Sequence, residues 1–173
     1  IRDPETANIA VEAALTGHQV LSTMHCNDAP GAIARLDDMG IAPFLISSSV
    51  ILSCAQRLMR RICSHCKEPV TYPEKMFEDL GIDPMMFDGV TLFRGRGCDY
   101  CNNTGYRGRL GIYEIMLFDD EIRDMIMQHA STNILREAAK KRGMRTLRTS
   151  GLLGIFEGIT TIEEVVKQTI VED

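Results

Sequence analysis

Cys63-Ser64-His65-Cys66 and Cys98-Asp99-Tyr100-Cys101 decide how the middle of this chain can fold. Each pair of cysteines can bring two thiolates to one metal ion, and two pairs complete the tetrahedron that structural zinc prefers. The residues between the pairs must form a substructure, and one too small for a core of its own gains folding free energy from the metal. Four thiolates leave no position for a reacting water, so the predicted site is structural. Two redox dithiols or unbonded cysteines are the alternatives, and His65 is an alternative ligand.

The composition is that of a soluble globular protein. Of 173 residues, 45% are apolar and 25% are charged, which suits one domain with a small insertion. The longest apolar run, Ile41 to Leu52, is too short and too polar to cross a bilayer, and the net charge of -5 gives no general attraction to nucleic acid. Paired cysteines without a secretion signal favour a reducing compartment, and the start at Ile1 is expected to be the cut edge of a larger protein. Cys26 and Cys54 are expected to be small buried apolar residues.

Capping residues, apolar periodicity and glycines predict an α/β fold. A buried strand is predicted at His18–His25 and an alternating strand at Gly111–Phe118, and an insertion runs between them from Cys63 to about Arg109. The predicted helices are Pro4–Leu15, Asn27–Met39, Pro43 to about Arg61, a short helix within Tyr72–Leu80, one that begins after Asp119, Thr132–Arg142, Thr146–Glu157 and Ile162–Val171.

Polar side chains gather at the carboxyl end of the first predicted strand. Ligands of open α/β sheets bind at the carboxyl ends of strands, so the polar residues here are placed to sense a bound group. They are Ser22, Thr23, His25 and Asn27. A histidine near a strand end is more often a hydrogen-bonded structural residue. No GxxxxGK[ST] segment occurs in the sequence, so the chain has no phosphate-binding loop of that kind. Arg2, Arg35 and Arg109 stand outside helical ion-pair patterns, although arginines are mostly solvated surface residues.

Four longer motifs carry a resemblance to a known family. They are Ile1-Arg2-Asp3-Pro4-Glu5-Thr6, the segment Leu15–Pro30, Ala55-Gln56-Arg57-Leu58, and Thr104-Gly105-Tyr106-Arg107-Gly108-Arg109-Leu110-Gly111-Ile112-Tyr113-Glu114. Together they closely resemble the type II secretion and type IV pilus assembly ATPases, nearly from end to end. The resemblance implies the C-terminal part of a RecA-like P-loop ATPase core, with an inserted tetracysteine zinc subdomain and a helical C-terminal tail. The expected divisions are residues 1–61 for the core, 62–110 for the insertion and 111–173 for the strand and helical region.

The resemblance also implies roles for particular side chains. The segment from Thr16 to about Asp28 is similar to the family's His box, in which the histidine that matches His25 is implicated in responding to the terminal phosphate. We therefore expect His25 and Thr23 to contact nucleotide. Arg2, Arg35 and Arg109 match arginines of the family. Those arginines are implicated in interdomain or intersubunit contacts that support hydrolysis. The four paired cysteines match the family's tetracysteine metal-binding subdomain, whereas Cys26 departs from a position where threonine is common.

The resemblance implies a whole protein that is a hexameric ATPase using ATP and Mg²⁺. Its implied partner is an inner-membrane platform protein through which pilins or pseudopilins are assembled, at the cytoplasmic face of that membrane, without membrane insertion and without nucleic acid. Because it lacks a phosphate loop, this chain alone is expected to be inactive. The alternative is a zinc-stabilised protein-interaction module without nucleotide chemistry. The related retraction ATPases lack the tetracysteine insertion, so residues 63–101 favour assembly or secretion, between which the sequence does not choose.

Overall fold

The computed structural model describes residues 1–79 and 82–169, apart from the side chains of residues 78 and 79. The chain folds into two compact units. Unit 1 contains Ile1–Ala55 and Glu114–Thr146, and unit 2 contains Gln56–Tyr113 and the described residues from Leu147 onward. The sequence predicted three contiguous divisions, residues 1–61, 62–110 and 111–173. These divisions remain a prediction. No helix in the described ranges is long and apolar enough to cross a membrane.

The chain contains both helices and strands, which confirms the predicted α/β class. The helices are α1 (Pro4–Leu15), α2 (Gly31–Asp38), α3 (Pro43–Ser49), α4 (Glu74–Asp79), α5 (Asp120–Met127), α6 (Thr132–Lys141), α7 (Leu147–Phe156) and α8 (Ile162–Gln168), with short 3-10 helices at Pro84–Phe87 and Asp99–Cys101. The strands are β1 (Leu52–Ile62), β2 (Lys67–Val70), β3 (Leu92–Gly95) and β4 (Tyr106–Leu117). β1 pairs with β4, and β2 pairs with β3 in antiparallel register from Lys67 opposite Gly95 to Val70 opposite Leu92.

Two helices of unit 1 begin at the capping residues that the sequence predicts. Asp3 accepts a hydrogen bond from the Thr6 N–H at 2.8 Å, and Pro4 occupies the first turn of α1. Asp119 caps α5 in the same way, accepting from the Ile122 N–H at 3.0 Å. These bonds satisfy N–H groups that have no partner inside the helix.

The apolar faces of the helices form the core of unit 1. α3 packs against α1 and α5, and α2 packs against α6. Ile41, Ile46, Ile122 and Leu135 are almost completely buried there. Burying a side chain of this size stabilises the fold by about 1.5–3 kcal/mol relative to leaving it in water. Burial of these faces therefore holds unit 1 together.

The helix predicted from Pro43 to about Arg61 is wrong in its second half. α3 ends at Ser49, and the strand β1 begins at Leu52. The buried side chains of β1 are spaced by four and then three residues, a pattern that an amphipathic helix would also show. They are Ala55, Met59 and Ile62. Pairing with β4 decides the outcome, because tertiary contacts override weak intrinsic propensity.

The buried strand predicted at His18–His25 is also wrong. This segment has no regular secondary structure, and most of its side chains are exposed, with Leu21 at 87%. The backbone nitrogen of Ile1 donates to the Thr23 carbonyl at 2.6 Å. A strand needs a neighbour whose backbone groups pair with its own, and no ladder between described residues includes this segment.

Unit 2 contains the insertion and the C-terminal helices. α7 and α8 approach closely at Gly151, where a Cβ atom would lie 2.8 Å from the Val165 side chain. The ring of Phe87 lies 5.6 Å from that of Phe77 and 5.4 Å from that of Phe156, measured between centroids. Phe87 is buried, so this aromatic row fastens the insertion to α7.

The remaining predicted elements are present with shifted ends. The predicted C-terminal helices correspond to α6, α7 and α8, and the short helix predicted within Tyr72–Leu80 corresponds to α4. The predicted ends at Leu80 and Val171 lie outside the described residues. The strand predicted at Gly111–Phe118 is β4, which begins earlier, at Tyr106, and so starts within the predicted insertion.

Candidate functional site

The two cysteine pairs meet in unit 2. The sulfur atoms of all four lie within 4.8 Å of one another, and none forms a disulfide. The Sγ–Sγ distances are 3.9 Å for Cys63 and Cys98, 3.9 Å for Cys66 and Cys101, and 3.7 Å for Cys98 and Cys101. A tetrahedral zinc ion with Zn–S bonds of about 2.3 Å requires sulfur atoms about 3.8 Å apart. The four thiols therefore fit zinc in both donor type and spacing.

Backbone N–H groups point at two of these sulfur atoms. The Gly97 N–H donates to Cys66 Sγ at 3.3 Å. The N–H groups of Cys98 and Gly105 both donate to Cys101 Sγ, each at 3.3 Å. Hydrogen bonds to the charged form of an acid favour that form. The local backbone therefore orients the sulfur atoms and stabilises them as thiolates.

The second cysteine pair is followed by a tight turn. Asn102 and Asn103 both have positive φ values, 51° and 58°, which asparagine tolerates better than most residues. After the turn the chain passes close to β3, and Gly105 contacts Gly95 at the end of that strand. A Cβ atom on Gly95 would lie only 2.0 Å from the Gly105 carbonyl oxygen. Only glycine fits at this position without moving the backbone.

Burial and hydrogen bonding move the thiol pKa values in different directions. Burial by itself raises the pKa of Cys101, but the N–H groups of Cys98 and Gly105 lower it overall. Burial also raises the pKa of Cys66, and the neighbouring thiols raise it further against the opposing bond from Gly97. Cys101 is therefore the easier of the two to ionise, and its thiolate attracts a cation.

The burial of the cluster bears on the redox alternative. Cys63, Cys66 and Cys101 are buried, whereas reactive redox cysteines are accessible to solvent. Convergence of all four thiols on one point also favours a single metal ion over two separate dithiols. The expectation that the two other cysteines are buried is wrong for Cys54, which is exposed on β1, and Cys26 is half-buried.

The candidate nucleotide residues lie mainly in unit 1. His25 and Thr23 are exposed in the irregular segment before α2, and the carbonyl of Thr23 accepts a hydrogen bond from the backbone nitrogen of Ile1. Arg2 follows Ile1 in the chain and is also exposed, so the structure brings Arg2 close to this segment. The predicted position at a strand end is absent, but the exposure that a contact to nucleotide requires is present.

The other two candidate arginines are exposed on regular elements. Arg35 lies in the last turn of α2 in unit 1, and Arg109 lies on β4 in unit 2. Within the part of the chain that the structure describes, the side chains of Arg2, Arg35, Arg109 and His25 form no hydrogen bond or ion pair. Their charged or polar ends face solvent.

Side chains that the sequence analysis missed anchor the residues between the His25 segment and α2. Glu114, a buried residue of β4, accepts a hydrogen bond from the Ala29 N–H at 2.7 Å. The Ser53 hydroxyl donates to the Ala29 carbonyl at 2.8 Å. Asp28 forms an ion pair with Arg136 of α6 at 2.5 Å. The exposed segment is thus followed by a firmly bonded turn within unit 1.

One of these missed residues carried a signal in the sequence. Ile112, Glu114 and Met116 occupy alternate, inward-facing positions of β4, and all three are buried. A carboxylate at such a position must find hydrogen-bond donors, because leaving it unpaired in the interior is costly. Glu114 could therefore have been noticed, whereas Arg136 resembles any other cation on a helix surface.

Comparison with known proteins places the chain in a family. The family model described as Type II/IV secretion system protein matches residues 1–167. The type IV pilus assembly ATPase PilB of Thermus thermophilus is 49% identical over 170 residues, which are 98% of this chain and 19% of that protein. The type II secretion system protein E of Pseudomonas aeruginosa is 50% identical over 169 residues, which are 98% of this chain and 33% of that protein. The chain spans about a fifth to a third of the length of these relatives.

A solved structure shares the fold. The pilus retraction motor PilT, crystallised with bound ADP, matches with a TM-score of 0.63 and 21% identity over 99% of this chain and 38% of the PilT chain. At this identity the likeness concerns the fold alone. The match over residues 1–167 and the relatives at about half identity concern the sequence itself. The chain therefore belongs to the Type II/IV secretion system protein family, the family of the type II secretion and type IV pilus assembly ATPases.

Proposed function

We propose that the whole protein is an ATPase that powers assembly of a type IV pilus or of a type II secretion pseudopilus, and that this chain is its C-terminal part. The observation that carries the proposal is the family match over residues 1–167, with relatives at 49% and 50% identity named for these systems. In the reaction, water attacks the terminal phosphorus of ATP, the bond to the ADP oxygen breaks, and ADP and phosphate leave.

His25 senses the terminal phosphate in this proposal, with Thr23 beside it. Arg2, Arg35 and Arg109 bring positive charge to domain or subunit boundaries, where phosphoryl transfer needs charge stabilisation. Their exposure supports this role, because groups that act across a boundary must lie at the surface of the isolated chain. The whole protein binds ATP with Mg²⁺, whereas this chain, which contains no GxxxxGK[ST] segment, does not hydrolyse ATP alone.

The four cysteines hold one structural zinc ion in this proposal. Cys63, Cys66, Cys98 and Cys101 complete its tetrahedron, and their spacing of 3.7 to 3.9 Å for three sulfur pairs supports the assignment. The ion supplies four bonds that link the two ends of the insertion and offers no open position for a reactant. Residues 62–110 are then a metal subdomain between the core of residues 1–61 and the region of residues 111–173.

The family assignment also supports the setting in which the whole protein works. We place it as a homohexamer in the cytoplasm, at the inner face of the inner membrane, acting on a platform protein of the pilus or secretion machinery. Hydrolysis then drives domain motions that are passed to the platform protein.

ATP hydrolysis by the whole protein tests the role of His25. His25→Asn is expected to lower kcat by about 10²–10³-fold, as removal of one group that stabilises developing charge does. His129→Asn is the matched control, because His129 is another exposed histidine of unit 1 and its positive φ of 54° suits asparagine. An unchanged kcat for His25→Asn would contradict the assigned role.

Calorimetry of this chain alone tests whether nucleotide is bound mainly by residues outside it. Titration with ATP and Mg²⁺ should give no binding signal, because the phosphates have no loop of backbone N–H groups to hold them. Tight, magnesium-dependent binding would contradict the proposal that nucleotide is bound mainly by residues outside this chain.

Elemental analysis of freshly purified, reduced protein tests the metal. One zinc ion per chain is expected, and Cys101→Ser should lower the zinc content well below one. Cys54→Ser is the control, because Cys54 is exposed on β1 outside the cluster. A chain without metal would overturn the zinc assignment.

A further inference from the structure

Two aromatic rings join the cysteine pairs at the surface of the cluster. His65 lies between the cysteines of the first pair, and Tyr100 lies between those of the second. Their ring centroids are 3.8 Å apart, and the ring planes differ by only 16°. Both side chains are exposed, so burial does not force them together. The parallel stack is a direct link between the two pairs that involves no sulfur atom.

Arg107 adds a third layer to this stack. Its guanidinium carbon lies 3.8 Å from the centroid of the Tyr100 ring, and its Nη1 donates to the Tyr100 carbonyl. The His65 ring and the guanidinium would overlap if both lay at this distance over one face of the tyrosine. They therefore cover opposite faces, and Tyr100 is held between them by stacking and a cation–π contact.

The stack fixes the residues next to the metal ligands. His65 precedes Cys66 and Tyr100 precedes Cys101, and these two sulfur atoms lie 3.9 Å apart. Bringing buried thiols together costs conformational entropy. The ring contacts hold the two cysteine pairs together without involving the sulfur atoms. They therefore offset this cost before a metal ion binds.

We infer that Tyr100 is a positioning residue of the metal centre. The layered contact of His65, Tyr100 and Arg107 keeps the four thiols assembled in the metal-free chain, so that metal binds more tightly and leaves more slowly. This inference rests on the proposed metal site. It also gives His65 a role other than that of a ligand, since the four cysteines complete the donor set and the histidine ring is engaged by Tyr100.

Competition with a chromophoric chelator measures the effect on Zn²⁺. Tyr100→Ala is expected to weaken zinc affinity by about 10–100-fold, the range for loss of a group that supports metal ligands, and to speed zinc transfer to the chelator. Tyr100→Phe keeps the ring and should restore affinity to near the wild-type value. Tyr113→Ala is the matched control, because Tyr113 is 48% exposed against 46% for Tyr100 and lies on the same unit.

A second pair of measurements separates positioning from ligation. His65→Ala should weaken zinc binding in the same direction, and the double variant with Tyr100→Ala should lose little more than Tyr100→Ala alone, because the two rings form one contact. With Co²⁺ in place of zinc, wild type and His65→Ala should show the same four-thiolate absorption spectrum. A changed spectrum in His65→Ala would make His65 a ligand and overturn the inference.

The outcomes distinguish this inference from the proposed metal site. If the wild-type chain binds neither Zn²⁺ nor Co²⁺, the metal site itself fails. If wild type binds zinc but Tyr100→Ala and His65→Ala match it in affinity and transfer rate, only the positioning role fails. Should Tyr100→Ala not fold, His65→Ala decides the question, because it removes one layer and leaves Arg107 on the tyrosine.

Discussion

The carboxylate of Glu164 forms an ion pair with Arg60 and accepts three hydrogen bonds from it. Its Oε1 accepts from the Arg60 backbone N–H at 2.9 Å, and its Oε2 accepts from Nε and Nη2 of the same residue at 2.9 and 2.7 Å. The Glu164 side chain is 2% exposed and that of Arg60 is 48% exposed. The guanidinium also lies 4.0 Å from the centroid of the Tyr106 ring. This pair fastens α8 to β1 within unit 2.

Replacing this carboxylate should weaken the fold in a pH-dependent way. Glu164→Gln removes the charge from the bonds with Arg60, so the free energy of unfolding should fall by about 1–3 kcal/mol at neutral pH. Burial by itself raises the pKa of Glu164, but the hydrogen bonds from Arg60 lower it overall, below the ordinary value of 4.5. A lowered folded-state pKa stabilises the fold above the unfolded value, and this contribution is lost as the pH falls through the folded-state pKa.

Urea unfolding at several pH values checks this expectation. The stability difference between wild type and Glu164→Gln should be largest near neutral pH and should shrink as the pH falls below about 4.5. Glu137→Gln is the control, because it makes the same chemical change in an exposed pair with Lys140 and should have little effect. A difference that stays constant from neutral to acid pH would argue against an ionic contribution from the Glu164–Arg60 pair.

Gly95→Ala should disrupt the metal centre through the backbone. The added Cβ would lie 2.0 Å from the Gly105 carbonyl oxygen, and Gly105 donates its N–H to Cys101 Sγ. Overpacking against the backbone typically lowers the free energy of unfolding by about 1–3 kcal/mol. Here it should also reduce zinc affinity. Gly89→Ala is the control for zinc affinity, because alanine strains the backbone at its φ of 73° but the new Cβ would have no atom within 4 Å. Equal zinc affinity in Gly95→Ala and wild type would contradict the expectation.

Glu114→Ala should loosen the turn before α2. The Ala29 N–H, which is buried with its residue, would lose its acceptor at a cost of about 1–3 kcal/mol. Hydrogen exchange at the Ala29 amide should accelerate, whereas Glu114→Gln keeps an acceptor oxygen and should protect the amide better. Identical exchange at Ala29 in Glu114→Ala and wild type would show that the bond does not anchor the turn.

Phe87→Ala should detach the insertion from α7. Phe87 is buried between Phe77 and Phe156, and truncation of a core phenylalanine typically costs about 3–5 kcal/mol. Thermal unfolding followed by circular dichroism would report the loss. Met86→Ala alters the exposed neighbour of Phe87 and should change the midpoint little. A similar midpoint for both variants would contradict the packing role of the aromatic row.

The sequence predicted the elements whose information is local. Asp3 and Asp119 cap α1 and α5 as expected, because a capping side chain acts on N–H groups only a few residues away. The two cysteine pairs likewise indicated a tetrahedral site, because four thiolates suffice for it without other residues. For the candidate site, the sequence therefore supplied the candidate ligands, and the structure showed that their sulfur atoms lie close enough together to hold a metal ion.

Tertiary contacts decided the elements that depend on partners distant in the chain. Residues 52–62 carry helix-forming side chains at helical spacing, yet they form β1 because β4 pairs with them. The segment at residues 18–25 has strand-like composition, yet it stays irregular because no described strand pairs with it. Pairing is a property of two segments, so neither outcome can be read from one of them.

The sequence alone thus determined the family resemblance, the helix starts at Asp3 and Asp119, and the four candidate metal ligands of this protein. Only the tertiary structure decided which strand replaced a predicted helix, that Glu114 holds the Ala29 N–H, and that His65 stacks on Tyr100. The physical reason is the range of the interactions. Caps and cysteine pairs act within a few residues, whereas strand pairing, burial of a carboxylate and ring stacking depend on which distant segments the fold brings together.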